Sequence, residues 1–143
     1  MEDVYYILKK YWGYSSFRTL QLEIIQATLS GKDVLALLPT GGGKSVCFQV
    51  PALAKPGICL VVTPLIALMQ DQVEHLKKRE ISAAAIFTGM SYAEIDLVLD
   101  NCIYGHTKFL YISPERLKTE LFQARVQKMQ VNLLAIDEAH CIS

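Results

Sequence analysis

The residue pattern predicts an α/β fold with a mostly parallel sheet and helices on both faces, and three observations carry that prediction. Strand-length apolar runs alternate with helical stretches along the whole chain. A glycine loop, Gly41-Gly42-Gly43, joins one such run to a helical pattern that opens on Lys44-Ser45. The other runs end at Thr63, Thr88-Gly89, Ser113 and Asp137-Glu138, and ligands of such sheets gather at the carboxyl ends of the strands.

The elements follow in order. Val4, Ile7, Leu8 and Tyr11 recur at helical spacing over Asp3–Tyr11, and Gly13 ends that helix. A second helix is expected from about Arg18 to Leu29, with Leu20, Ile24 and Ala27 inward, and Ile25 and Leu22 candidates for the same face; Ser30-Gly31 closes it. Asp33–Leu38 reads as a strand and Lys44–Ala54 as a helix, with Lys55-Pro56-Gly57 a turn. Ile58–Val62 is continuously apolar and β-branched, as in a strand buried on both faces. Thr63-Pro64 opens a helix with one stripe of Leu65, Leu68, Met69, Gln72, Val73 and Leu76, and Lys77-Lys78-Arg79-Glu80 is its solvated end. Strands at Ile81–Phe87 and Lys108–Ile112 flank a helix from Ser91 to about Tyr104, with Ile95, Val98 and Leu99 inward. Ser113-Pro114-Glu115-Arg116 starts a short helix, and another covers about Thr119 to Lys128. The last strand, Val131–Ile136, is expected to be buried.

At 143 residues the chain suits one domain, and fourteen basic residues balance fourteen acidic ones. No global positive field recruits nucleic acid, so any such contact depends on local groups and helix N-termini. Hydrophobic residues make up 52%, yet no run reaches the ~18 apolar residues of a membrane span. Met1-Glu2-Asp3 lacks a signal-peptide layout, so a protein that is not secreted and makes no membrane contact is expected. Cys47, Cys59, Cys102 and Cys141 form no Cys-x-x-Cys pair and read as buried small hydrophobes; His75 and His106 read as surface residues.

The layout from Leu35 to Ser45 is that of a phosphate-binding loop. Glycines let several N–H groups point into one hollow, and the following helix adds its positive end. Lys44 is placed to reach the β- and γ-phosphates of a nucleotide and Ser45 to ligate Mg²⁺. Leu38 stands where the strict pattern has a first glycine, a change that removes no phosphate-contacting group. Asp137-Glu138, after an apolar strand, suits a carboxylate that holds Mg²⁺ beside one that deprotonates an attacking water. Upstream, Tyr14, Phe17, Arg18 and Gln21 admit two readings by composition, a purine reader or core and staple residues.

Five stretches occur in order: Phe17-Arg18-x-x-Gln21, Thr40-Gly-Gly-Gly-Lys-Ser-x-Cys47, Thr63-Pro-Leu-Ile-Ala-Leu-Met-x-Asp71-Gln-Val73, Ser113-Pro-Glu-Arg-Leu117 and Asp137-Glu-Ala-His-Cys-Ile-Ser143. Together they resemble the first motor domain of RecQ-family ATP-dependent DNA helicases. The resemblance implies a RecA-like domain over 1–143, incomplete at the Asp-Glu-Ala-His motif, with residues 1–30 a helical segment carrying an adenine reader. It implies ATP and Mg²⁺ as cofactors, DNA as partner, 3′–5′ unwinding in repair and recombination, and a cytoplasmic or nuclear setting. Tyr14 and Arg18 would sandwich adenine and Gln21 would bond its edge; Thr40, Gly41, Gly42, Gly43, Lys44 and Ser45 would hold phosphates and metal. Asp137 would join Ser45 on the metal, Glu138 would be the catalytic base, and His140 would couple hydrolysis to movement. Thr63, Pro64 and Ser113 would meet the DNA backbone or serve as plain helix caps, and Thr88-Gly89 would do the same or simply end a strand. Without the second RecA-like domain and its arginine fingers, worth ~10³–10⁵ in rate, this stretch alone is expected to hydrolyse ATP very slowly and not to unwind DNA. The rival readings are an RNA helicase or duplex translocase with the same core, and a nucleotide-binding interaction module without turnover.

Overall fold

The computed structural model describes residues 3–34 and 43–137. The strand expected at Asp33–Leu38 lies outside them from residue 35 on, as do Thr40, Gly41, Gly42, Glu138, His140 and Cys141. The chain divides into two compact units, one ending at Pro56 and one beginning at Gly57.

The described residues of the first unit form three helices. Helix α1 (Val4–Trp12) starts where the Asp3 carboxylate accepts from the Tyr5 N–H, and it ends at Gly13, whose φ of 77° lets its N–H return to the Lys9 carbonyl. Helix α2 (Gln21–Leu29) and helix α3 (Lys44–Ala54) pack with it around Ile7, Leu8, Ile25, Val46, Val50 and Ala54.

The second helix begins later than the apolar spacing predicts. Arg18 and Gln21 close a tight turn on each other: the Gln21 N–H donates to the Arg18 carbonyl, and the Arg18 N–H donates to Gln21 Oε1. This turn forces Leu20 to a φ of 72° and leaves its side chain 53% exposed. Leu20 is therefore not an inward residue, and fully buried Ile25 takes that place, with Ile24 and Ala27 half-buried.

The second unit is built on strands β1 (Ile58–Val62), β2 (Ala83–Ile86), β3 (Phe109–Ile112) and β4 (Val131–Ile136). They form an all-parallel sheet in the order β2-β3-β1-β4. Helices α4 (Ile66–Lys78), α5 (Tyr92–Tyr104), α6 (Pro114–Leu117) and α7 (Glu120–Val126) occupy the connections. Period-two alternation splits the two faces. Leu60, Val62, Leu110 and Ile112 pack with Ile95 and Leu99 of α5 and Phe122 of α7. Tyr111, from the alternate set, meets α4 on the other side, so helices cover both faces as the pattern predicts. Ser91 and Glu94 cap α5 reciprocally, and Arg125 of α7 pairs with Asp96 and Asp100 of α5.

Strand β4 departs from the expectation of burial. Among the described residues it pairs with β1 alone, and Leu134 and Ile136 are 56% and 55% exposed. Its apolar run reads like that of β1, but an edge position leaves part of it uncovered. The stripe of α4 is also narrower than predicted: Met69, Gln72, Val73 and Leu76 are buried, Leu68 is half-buried and Leu65 is exposed.

Candidate functional site

In the first unit, Tyr14, Arg18, Gln21 and Gly43 line one cavity of about 300 Å³. That is the lower end of the size range of small-molecule sites. Leu8, Trp12, Ser16 and Val46 complete its wall. Sequence reasoning missed these four, although an indole at the end of α1 next to Tyr14 is a usable signal. The Gln21 carboxamide is engaged at both ends, accepting from Arg18 N–H at 2.8 Å and donating to the Gly43 carbonyl at 3.0 Å. It therefore ties the Tyr14–Arg18 segment to the last glycine before α3. Gly43 has a φ of 76°, and a Cβ there would sit 2.5 Å from Gln21 Nε2. Glycine is what both the backbone and this contact require. Lys44 and Ser45 form the first turn of α3 and are half-buried.

In the second unit the parallel register brings the strand exits level. Val62 pairs with Ile112 and with Ile136, and Ile86 pairs with Ile112. The next residues continue the ladder: Thr63 N–H donates to the Ile112 carbonyl, Ser113 N–H to Ile86 and Asp137 N–H to Val62. Thr63, Ser113 and Asp137 thus share one edge, and the Thr88-Gly89 turn follows β2 there. The residues at this edge differ in access. Thr88 and Gly89 are exposed and Pro64 is half-buried, whereas Thr63 and Ser113 are 1% and 2% exposed. Thr63 Oγ1 accepts from the Leu65 N–H at 3.4 Å, while Ser113 Oγ is buried and has no hydrogen-bond partner among the described residues.

Asp137 is 7% exposed. Its Oδ2 accepts from Gln72 Nε2 at 3.2 Å, and Gln72 Oε1 accepts from the Tyr111 hydroxyl at 2.6 Å. Neither Gln72 nor Tyr111 was singled out for a role at this edge. A glutamine inside the apolar stripe of α4 was the visible sign. Among the described residues no cluster of histidine, cysteine or carboxylate side chains could hold a metal by itself. Cys47, Cys59 and Cys102 are buried free thiols, and burial pushes them up to about 11, 12 and 12. His75 and His106 are exposed, as expected.

The DEAD/DEAH box helicase family matches residues 18–143. The chain belongs to this family. As a DEAD/DEAH box helicase sequence it is 44% identical over 137 residues to the ATP-dependent DNA helicase RecQ of Pasteurella multocida, a match covering 96% of the chain and 22% of that relative. It is likewise 44% identical to RecQ of Haemophilus influenzae over the same shares, and 45% identical to the probable ATP-dependent DNA helicase RecS of Bacillus subtilis, covering 95% of the chain and 27% of that protein. The chain thus spans about a quarter or less of the length of these relatives. Its fold is that of the DUF1998 helicase MrfA, whose structure was solved with DNA and AMPPNP, with a TM-score of 0.79 at 21% identity over 98% of the chain and 21% of that protein. Among the described residues of this DEAD/DEAH box chain, no helix is long and apolar enough to cross a membrane.

Proposed function

We propose that this chain is the first RecA-like, ATP-binding motor domain of a RecQ-type ATP-dependent DNA helicase. The observation that carries the reading is the cavity in which Tyr14, Arg18 and Gln21 meet Gly43, the last residue of the glycine loop. A nucleotide seated there would stack its adenine between Tyr14 and Arg18, and Gln21 would register base against phosphate loop. The N–H groups of residues 41–43 and the first turn of α3 would cradle the phosphates, with Thr40 at the loop's start and Lys44 on the β- and γ-phosphates.

Ser45 and Asp137 offer hard oxygen ligands of the type Mg²⁺ takes, and Asp137 keeps its carboxylate at a strand exit with one oxygen held by Gln72. The ion would draw charge from the transferred phosphoryl group. Glu138 would take a proton from the water that attacks the γ-phosphorus, as ADP leaves with the bonding electron pair. His140 would pass the change in the site to a second RecA-like domain elsewhere in the same polypeptide. At the strand-exit edge, Thr88, Gly89 and Pro64 are open to a DNA backbone. Thr63 and Ser113 would take part mainly by shaping the loops that present N–H groups, because their own hydroxyls are buried. The protein would act in the cytoplasm or the nucleus.

Two measurements test this. Calorimetry of ATP against GTP, each with Mg²⁺, should give adenine-selective binding that Lys44→Ala abolishes; equal binding of both nucleotides would remove the base reader. In the full-length protein, ATPase stimulation by single-stranded DNA should exceed that by RNA, and the reverse order would favour an RNA helicase of the same superfamily.

A further inference from the structure

We propose that Gln72 and Tyr111 together form a positioning device that fixes the orientation of the Asp137 carboxylate. The inference rests on the reading of Asp137 as a metal-binding carboxylate, and it assigns roles to two residues that do not line the cavity proposed for nucleotide.

The chemistry of the three groups leaves one arrangement. An ionised carboxylate only accepts hydrogen bonds, so the nitrogen end of the Gln72 amide must face Asp137. The amide oxygen then faces Tyr111, whose hydroxyl must donate. With the amide reversed, two acceptors would oppose each other at Asp137. The Tyr111 hydroxyl therefore keys the amide, and the amide keys the carboxylate. Tyr111 is fully buried, and Gln72 and Asp137 are 8% and 7% exposed, so bulk water does not readily replace either bond. The Asp137 backbone is held separately by its N–H bond to the Val62 carbonyl at 2.9 Å. Backbone and side chain are thus restrained from two elements, β1 and α4.

Packing alone gives no reason for these side chains. Gln72 lies in the stripe of Met69, Val73 and Leu76, and Tyr111 lies between Leu110 and Ile112 in β3. An apolar pair would fill both places without burying polar atoms. Groups that orient a metal's ligands commonly change metal affinity by ~10–100-fold when lost.

The test uses the full-length protein and reads ADP affinity by calorimetry, with Mg²⁺ and with EDTA. Tyr111→Phe removes one hydroxyl, and Gln72→Met keeps length while removing the amide. Both should leave ADP affinity in EDTA unchanged and reduce the tightening by Mg²⁺, by roughly tenfold or more for Gln72→Met and by less for Tyr111→Phe. Tyr111→Phe should add nothing in the Gln72→Met background. Asp137→Ala is the reference. If it abolishes the Mg²⁺ effect while both other variants keep wild-type Mg²⁺ dependence, the positioning role is refuted. If Asp137→Ala itself leaves the Mg²⁺ effect intact, the metal-binding reading of Asp137 fails and the inference falls with it. Should Gln72→Met not fold, as judged by thermal melting, Tyr111→Phe decides alone.

Discussion

The Gln21 side chain donates to the main-chain carbonyl of Gly43 at 3.0 Å, joining residues 22 apart in sequence. This bond makes one structure of two motifs, the aromatic-arginine segment and the glycine loop. Gln21→Ala should therefore weaken nucleotide binding beyond the loss of one contact to a base. Preference for ATP over GTP should fall towards unity, and competition binding with both nucleotides measures it.

Gly43→Ala is expected to damage the same junction from the other side. A φ of 76° strains any L side chain, and the new Cβ would press on Gln21 Nε2. The cost should be about 1–3 kcal/mol, seen as a lowered urea midpoint, and ATP affinity should drop in parallel. Unchanged affinity would mean that the Gln21–Gly43 bond does not serve the site.

Gly57 and Gly89 provide a stability contrast within the second unit. Their φ values are 105° and 106°, so both substitutions to alanine carry backbone strain. At Gly57 the added Cβ would also lie 2.5 Å from the Gln130 main-chain oxygen, whereas among the described residues nothing lies within 4 Å at Gly89. Gly57→Ala should cost about 2–5 kcal/mol and Gly89→Ala about 1–3 kcal/mol. Equilibrium denaturation of the two variants should rank them in that order.

The buried thiols set a pH dependence. Desolvation raises Cys47 to about 11 and Cys59 and Cys102 to about 12, against 9.0 for the ordinary thiol. Unfolding then releases protons at high pH, so this contribution to stability is complete below about pH 9 and is lost as pH rises towards 12. A disulfide reagent at pH 8 should modify these three thiols slowly in the folded protein and rapidly in urea. Fast labelling of Cys47, Cys59 or Cys102 in the native protein, located by peptide mapping, would contradict their burial.

Glu138→Gln in the full-length protein should keep ATP binding and reduce turnover by ~10²–10⁴-fold. Single-turnover hydrolysis checks it. A variant hydrolysing at the wild-type rate would remove Glu138 from the mechanism.

Much of this protein was decided locally and could be read from the residues. Helix α3 at Lys44–Ala54 and strands β1 at Ile58–Val62 and β4 at Val131–Ile136 have the predicted limits, because glycine, proline and polar residues bracket each apolar run. The shared strand-exit edge also followed, since parallel strands linked by helices must end on the same side. What the residues alone did not determine depends on contacts between distant segments. The turn closed by Arg18 and Gln21 overrode helical propensity and turned Leu20 outward. Pairing with β1 alone among the described residues leaves Leu134 and Ile136 exposed, although the composition of β4 matches that of a central strand. The hydrogen bonds from Tyr111 through Gln72 to Asp137 join three elements, and no spacing rule connects residues 39 and 65 positions apart. Propensity and turn chemistry act over a few neighbouring residues, whereas burial and hydrogen-bond partners exist only once the sheet has brought its strands together.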